Sequence, residues 1–200
     1  SGAAIKAVSA FCAAHALSGL EFACGIPGSV GGAVYMNAGA YGGETRDVLY
    51  EAVWMDEQGA LHTSSAAELQ LGYRHSRFSE QGGIILEAVF EVQPKNQTEI
   101  IQHMEELMRR RREKQPLDAY SAGSTFKRPQ GAYASALIRD AGLMGYHIRD
   151  AQVSEKHAGF LINQNAASSQ DFLELIQQVK ETVKAHSGYE LECEIRFLKK

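Results

Sequence analysis

Long apolar runs are missing from these 200 residues; the longest uninterrupted stretches last only a few positions, too short to cross a bilayer. Cysteine is scarce and odd in number: Cys12, Cys24 and Cys193 include no C-x-x-C pair. That excludes a disulfide framework and fits buried thiols in a reducing compartment. The seven histidines include no H-E-x-x-H and no His-x-His, so no metal site is expected. Positive charge is also short. Lys and Arg total 20 against 24 Asp and Glu, a net charge of −4, and no extended basic stripe argues for nucleic acid. No basic leader precedes an apolar run and a small-residue cleavage site, so a cytoplasmic location is expected, with no membrane partner. What remains is ordinary for a folded chain: 44% hydrophobic and 22% charged residues, enough for one large domain or two small ones.

The texture changes along the chain. Ile5, Val8, Phe11, Cys12 and Ala16 share one helical face, and Gly19 stops it. Seven glycines fall in the nineteen residues from Gly25 to Gly43. Val48 to Met55 reads as a strand, with a turn at 56–59 into a second strand near Leu61, and Ile84 to Val92 as another, stopped by Pro94. Asn96 and Glu99 resemble a capping box opening a helix to about Arg112, with Ile100, Ile101, Met104, Leu107 and Met108 on its apolar face. Residues 114–130, with two prolines and little periodicity, read as a long loop. A helix near 132–141, strands near 146–153 and 159–163, a helix over 169–186 ended by Gly188, and a closing strand from Leu191 to Leu198 complete the order. This predicts an α+β chain of two lobes: residues 1–115, residues 116–190, and a strand over 191–200 returning towards the first lobe. The chain opens almost inside its first helix and is expected to be part of something longer.

Several segments have the residue types that chemistry needs. Gly25-Ile26-Pro27-Gly28-Ser29-Val30-Gly31-Gly32, continuing through Asn37-Ala38-Gly39-Ala40-Tyr41-Gly42, lets backbone amides approach a ligand closely. It is neither a Walker loop nor a G-x-G-x-x-G turn, and on glycine content alone a cluster of structural turns is the stronger reading. Ser121-Ala122-Gly123-Ser124-Thr125-Phe126-Lys127-Arg128-Pro129 places a serine hydroxyl between glycine and lysine, and reads equally as a polar linker. Tyr73-Arg74-His75-Ser76 follows a turn, where a lone arginine is usually a solvated charge. In Leu191 to Phe197, alternation sets Glu192, Glu194 and Arg196 opposite Leu191, Cys193, Ile195 and Phe197. The run Arg109 to Arg112 and then Lys114 suits a helix C-terminus, with a phosphate ligand as a second use for Lys114. His157, in Ser154-Glu155-Lys156-His157, reads as a structural histidine.

Taken in order, these segments, together with Ala151-Gln152-Val153-Ser154-Glu155-Lys156-His157-Ala158-Gly159-Phe160, resemble the UDP-N-acetylenolpyruvoylglucosamine reductase (MurB) family of peptidoglycan synthesis, in its shorter form. The resemblance implies the second FAD-binding lobe of the vanillyl-alcohol-oxidase/PCMH-like type, followed by a C-terminal α/β substrate-binding lobe. It implies FAD and NADPH as cofactors and UDP-N-acetylglucosamine enolpyruvate as substrate, with a hydride delivered to C3 and a proton to C2. Arg74 and Glu194 correspond to the groups that stabilise the developing charge, and Ser124 to the proton donor. Ile26, Pro27, Gly28, Ser29, Gly32 and Asn37 correspond to flavin neighbours; Tyr73, Lys114, Lys127 and Arg128 are the substrate contacts. The family's N-terminal FAD lobe, with its Gly-rich pyrophosphate loop, has no counterpart here, so that lobe is an expected partner and FAD binding by this chain alone is expected to be weak. A smaller departure is Ile148-Arg149-Asp150, where the family carries small glycine-rich residues. Two other readings stand beside this one: a non-catalytic nucleotide-sugar binding module, and another FAD-dependent oxidoreductase of the same superfamily.

Overall fold

The first helical face folds as α1 (Ile5–Ala14), burying Ile5, Cys12 and Ala13. Phe11 departs from the expected face: it is 60% exposed and lies against the His15 ring. After β1 (Leu17–Ser18), the glycine-rich stretch forms a short helix, α2 (Val30–Tyr35), and a hairpin of β2 (Gly39–Ala40) and β3 (Gly43–Glu44). Next come β4 (Leu49–Met55), β5 (Leu61–Ser65), α3 (Phe78–Gln81) and β6 (Ile84–Phe90), an antiparallel sheet in the order β5-β4-β6. Pro94 does not simply end this strand; it belongs to β7 (Gln93–Pro94), which pairs with β1. The computed structural model describes residues 1–198, and the chain divides into two compact units, Ser1–Arg111 and a second from Arg112 onward.

The first unit's core has two clusters. One gathers Ile5, Leu20, Val30 and Val48; the other packs Leu49, Trp54, Leu69, Phe78 and Ile85. Trp54 meets Phe78 edge-on and donates from Nε1 to Ser64 Oγ at 3.1 Å, so the indole is buried with its polar atom satisfied. Helix α4 (Gln97–Lys114) starts where the sequence places it, with Asn96 Oδ1 accepting from the Thr98 and Glu99 N–H groups. Of its expected apolar face only Ile100 and Leu107 are buried, and Ile101 is largely exposed.

The second unit contains β8 (Tyr120–Ser124), α5 (Ala134–Asp140), β9 (His147–Ile148), β10 (Ala151–Val153), β11 (Phe160–Asn163) and α6 (Ser169–Ser187). Its sheet runs β8-β11-β10-β9, with every pairing antiparallel. Leu175, Ile176, Val179 and Val183 of α6 pack into a core with Ile138, Val153, Leu161 and Leu191. Ser168 and Asp171 cap α6 reciprocally, and Gly188 ends it at φ 77°.

Two expectations are corrected. Residues 114–130 are not all loop, because β8 lies within them as an edge strand. The closing segment is not a regular strand among the described residues. It forms one isolated bridge, Cys193 to Phe126, and Leu191 is buried in the second unit's own core. The departure at Arg149 also has a structural reason. Arg149 and Asp150 make the β9–β10 turn, with Arg149 at φ 48°, and the guanidinium pairs with Asp171 at the start of α6.

Candidate functional site

In the first unit the glycine segment is fixed by short backbone contacts. The Ile5 N–H donates to Gly28 O at 3.0 Å, Val30 N–H to Ala3 O at 2.8 Å, and Ser29 bridges Ala4. Ser29 caps α2, its Oγ accepting from the Gly32 N–H at 3.1 Å. Ile26 is half-buried against the core, whereas Pro27, Gly28 and Gly32 lie exposed. Gly28 has φ 141°, and a methyl group there would meet nothing within 4 Å. The backbone is therefore open at Gly28, whereas Gly25 is crowded by Met108 and Arg111 and Gly31 by Ser1. Asn37 differs. It is fully buried, and its Nδ2 donates to Glu44 Oε2 at 2.9 Å and to Gly72 O at 3.0 Å.

That last bond leads to Tyr73 and Arg74. Gly72 and His75 exchange backbone hydrogen bonds of 3.0 and 3.2 Å, so Tyr73 and Arg74 form the tip of a tight turn. Arg74 adopts φ 53°, and its guanidinium carbon lies 5.1 Å from the centre of the exposed Tyr73 ring. The sequence names the motif; the turn gives it a direction.

In the second unit Ser124 ends β8 and pairs with Phe160. Next to it, buried Thr125 is bonded on several sides. Its N–H donates to Gly159 O at 2.9 Å, its Oγ1 accepts from the Leu161 N–H at 3.3 Å, and its O accepts from the Glu194 N–H at 2.8 Å. The backbone segments carrying Ser124 and Glu194, far apart in sequence, are thus joined through Thr125. Lys127 lies on the same bridge, its N–H bonded to Glu192 O and its Nζ paired with the Glu192 carboxylate. Arg128 stacks its guanidinium 4.0 Å from the Tyr133 ring centre. Both cations have protein partners of their own. Lys114, at the exposed end of α4, has its charge felt at His157.

Sequence reading gave His157 no special part. Its Nδ1 accepts from the Gly159 N–H at 3.1 Å, and the ring meets Phe160 edge-on. Burial pushes its imidazole below the ordinary histidine range, and Lys114 pushes the same way. Accepting at Nδ1 leaves Nε2 as the ring's N–H donor. Thr125 was missed as well; the signal for it was its position between Ser124 and the apolar Phe126. Among the described residues no group of His, Cys, Asp and Glu is arranged to hold a metal ion, and no helix is long and apolar enough to cross a membrane.

Comparison with known proteins places the chain in a family. Residues 1–65 match the FAD binding domain family, and residues 115–198 match the UDP-N-acetylenolpyruvoylglucosamine reductase, C-terminal domain. The fold is α+β, a segment of the FAD binding domain type followed by a dedicated C-terminal domain. A reductase of that name from Agathobacter rectalis is 55% identical over 197 residues, 98% of this chain and 63% of the relative. One from Geobacillus thermodenitrificans is 52% identical over 99% of this chain and 65% of its own length. The crystal structure of the Thermus caldophilus enzyme superposes with a TM-score of 0.86 at 37% identity, covering 96% of this chain and 69% of that one. The chain belongs to the UDP-N-acetylenolpyruvoylglucosamine reductase (MurB) family. It spans a little under two thirds of the curated relatives it matches.

Proposed function

We propose that the chain carries the catalytic residues of an NADPH-dependent, FAD-mediated reductase converting UDP-N-acetylglucosamine enolpyruvate to UDP-N-acetylmuramate in the cytoplasm, for peptidoglycan synthesis. The single observation that supports this reading is the Glu194 N–H to Thr125 O bond, which ties the backbone at Glu194 to the residue that follows Ser124. The open backbone face at Gly28 fits a flavin, and Ile26, Pro27, Gly28, Ser29 and Gly32 are the residues to hold it. When bound, FAD supplies hydride relay from NADPH to C3 of the enolpyruvyl ether.

The chain's own groups handle charge and proton. As C3 gains a hydride, negative charge grows on C2 and the adjoining carboxylate. Arg74, at the tip of its turn, is the fixed cation for that carboxylate. Ser124 gives its proton to C2 and recovers one from solvent, so NADPH and one proton are consumed per turnover. Glu194 holds the hydrogen-bonding pattern around the enolate. Lys114 serves the diphosphate, while Lys127, Arg128 and Tyr73 are the remaining substrate contacts; the Glu192 pairing of Lys127 must open for it to take part.

Calorimetric titration of the chain with UDP-N-acetylglucosamine enolpyruvate tests the reading. Binding is expected to weaken in Arg74→Ala and Lys114→Ala and to survive Ser124→Ala. Equal loss in all three would contradict the division of roles.

A further inference from the structure

The shape of the arginine turn and its location are fixed by different bonds. The Gly72–His75 exchange sets the shape, and places Arg74 in the left-handed region that turns of this kind demand of their third residue. A non-glycine side chain there is disfavoured, so the conformation persists only where neighbours over-determine it. Nothing within the turn decides where its tip lies relative to the glycine segment.

Two hydrogen bonds from buried side chains do. On one side of Arg74, Asn37 Nδ2 donates to Gly72 O at 3.0 Å; on the other, Ser76 Oγ donates to Tyr35 O at 2.7 Å. Asn37 and Ser76 are both 0% exposed. Both bonds end on the segment 35–37, which leaves the last turn of α2 and is continuous with the glycine loop. Asparagine suits its position for three reasons. Its φ of 42° is one that asparagine tolerates; its two amide protons serve Gly72 O and Glu44 Oε2; and its Oδ1 accepts from the Arg46 N–H at 2.9 Å. An aspartate would place a carboxylate against the Glu44 carboxylate and the Gly72 carbonyl.

We infer that Asn37 and Ser76 are positioning residues for Arg74, fastening the arginine turn at both ends to the glycine-loop segment. The inference rests on the reading of Arg74 as the cation for the substrate carboxylate. It reassigns Asn37 from flavin neighbour to a link between two parts of the site.

The test is a double-mutant cycle on this chain with two readouts. Calorimetry with UDP-N-acetylglucosamine enolpyruvate compares wild type, Ser76→Ala, Arg74→Ala and the double variant, well below the unfolding temperature of each. Ser76→Ala is expected to weaken binding about tenfold in wild type and to have no effect once Arg74 is gone, because its action passes through that side chain. An equal loss in both backgrounds overturns the proposal, since a general structural role gives that pattern. Amide exchange at His75 is the second readout, and needs no substrate. Protection is expected to fall at least tenfold in Ser76→Ala, and further in Asn37→Asp where that variant folds. Unchanged protection overturns the anchoring whatever binding shows. A wild-type chain that binds no substrate, yet loses protection in Ser76→Ala, overturns the functional reading and leaves the anchoring standing.

Discussion

At the scale of single residues, the account turns on small groups placed by backbone bonds. Thr125 is the clearest case: with N–H, O and Oγ1 all engaged, it holds Ser124, Gly159 and Glu194 in one arrangement. Thr125→Val keeps the shape and removes the acceptor for the Leu161 N–H. It is expected to destabilise the second unit by about 1–3 kcal/mol, read by urea denaturation followed by far-UV circular dichroism. Gly39 makes a different demand. A methyl group there would lie 2.8 Å from both Gly43 O and Glu44 Cβ, and the backbone oxygen cannot swing away as a side chain would. Gly39→Ala should cost about 1–3 kcal/mol and loosen the β2–β3 hairpin, visible as faster amide exchange at Ala40 and Gly43.

At the scale of elements, α6 joins its own start to the β9–β10 turn through Asp171. The Ser168 N–H, then the Arg149 guanidinium and the Ser168 hydroxyl, hold its carboxyl below the usual aspartate range. A lowered folded-state pKa contributes stability above the ordinary value and loses it as the pH falls through the folded one. The gap in unfolding temperature between wild type and Asp171→Asn is therefore expected to be full at neutral pH. It should close as the pH drops below about 4, where the unfolded aspartate already takes up a proton. Ser168→Ala removes the other half of the cap and is expected to cost about 1 kcal/mol by urea denaturation. Glu106 in α4 shows the same physics without a cap: Arg109 first, and then Arg110, hold its carboxyl at about 2.

These elements also show where sequence reading succeeds. Helices α4 and α6 carry 3.6-residue periodicity and strand β4 an apolar run, so each was legible. Strand β8 was not: Tyr-Ser-Ala-Gly-Ser has no alternation to detect, because an edge strand half-exposed to solvent has little apolar surface to bury. Phe11 and Ile101 obey the helical spacing yet lie exposed, since the spacing gives a face and not the width of the surface that covers it. At the site, the motifs named Arg74, Ser124 and Glu194. The left-handed backbone of Arg74 and the fully committed amide of Asn37 were beyond reach, because both depend on partners brought in by tertiary folding.

For the whole molecule, the residues given roles in the proposed reaction fall on both units. The first carries Gly28 and the arginine turn, and the second carries Ser124 and Glu194, whose backbone segments meet at Thr125. Family membership follows from relatives matched along nearly the entire chain, and the proposed reduction follows from the chemistry these residues can perform. The most direct measurement of that chemistry is product analysis in D2O. The chain, with the expected N-terminal FAD lobe restored as its partner, is supplied with FAD, NADPH and UDP-N-acetylglucosamine enolpyruvate, and wild type is compared with Ser124→Ala. The account expects UDP-N-acetylmuramate with one solvent deuterium at C2 and hydrogen from NADPH at C3. It expects the rate to fall by about 10²–10⁴ when the serine hydroxyl is removed. An undiminished rate in Ser124→Ala would contradict the assignment of the proton donor, and no product from wild type would contradict the claim that this chain carries the reaction.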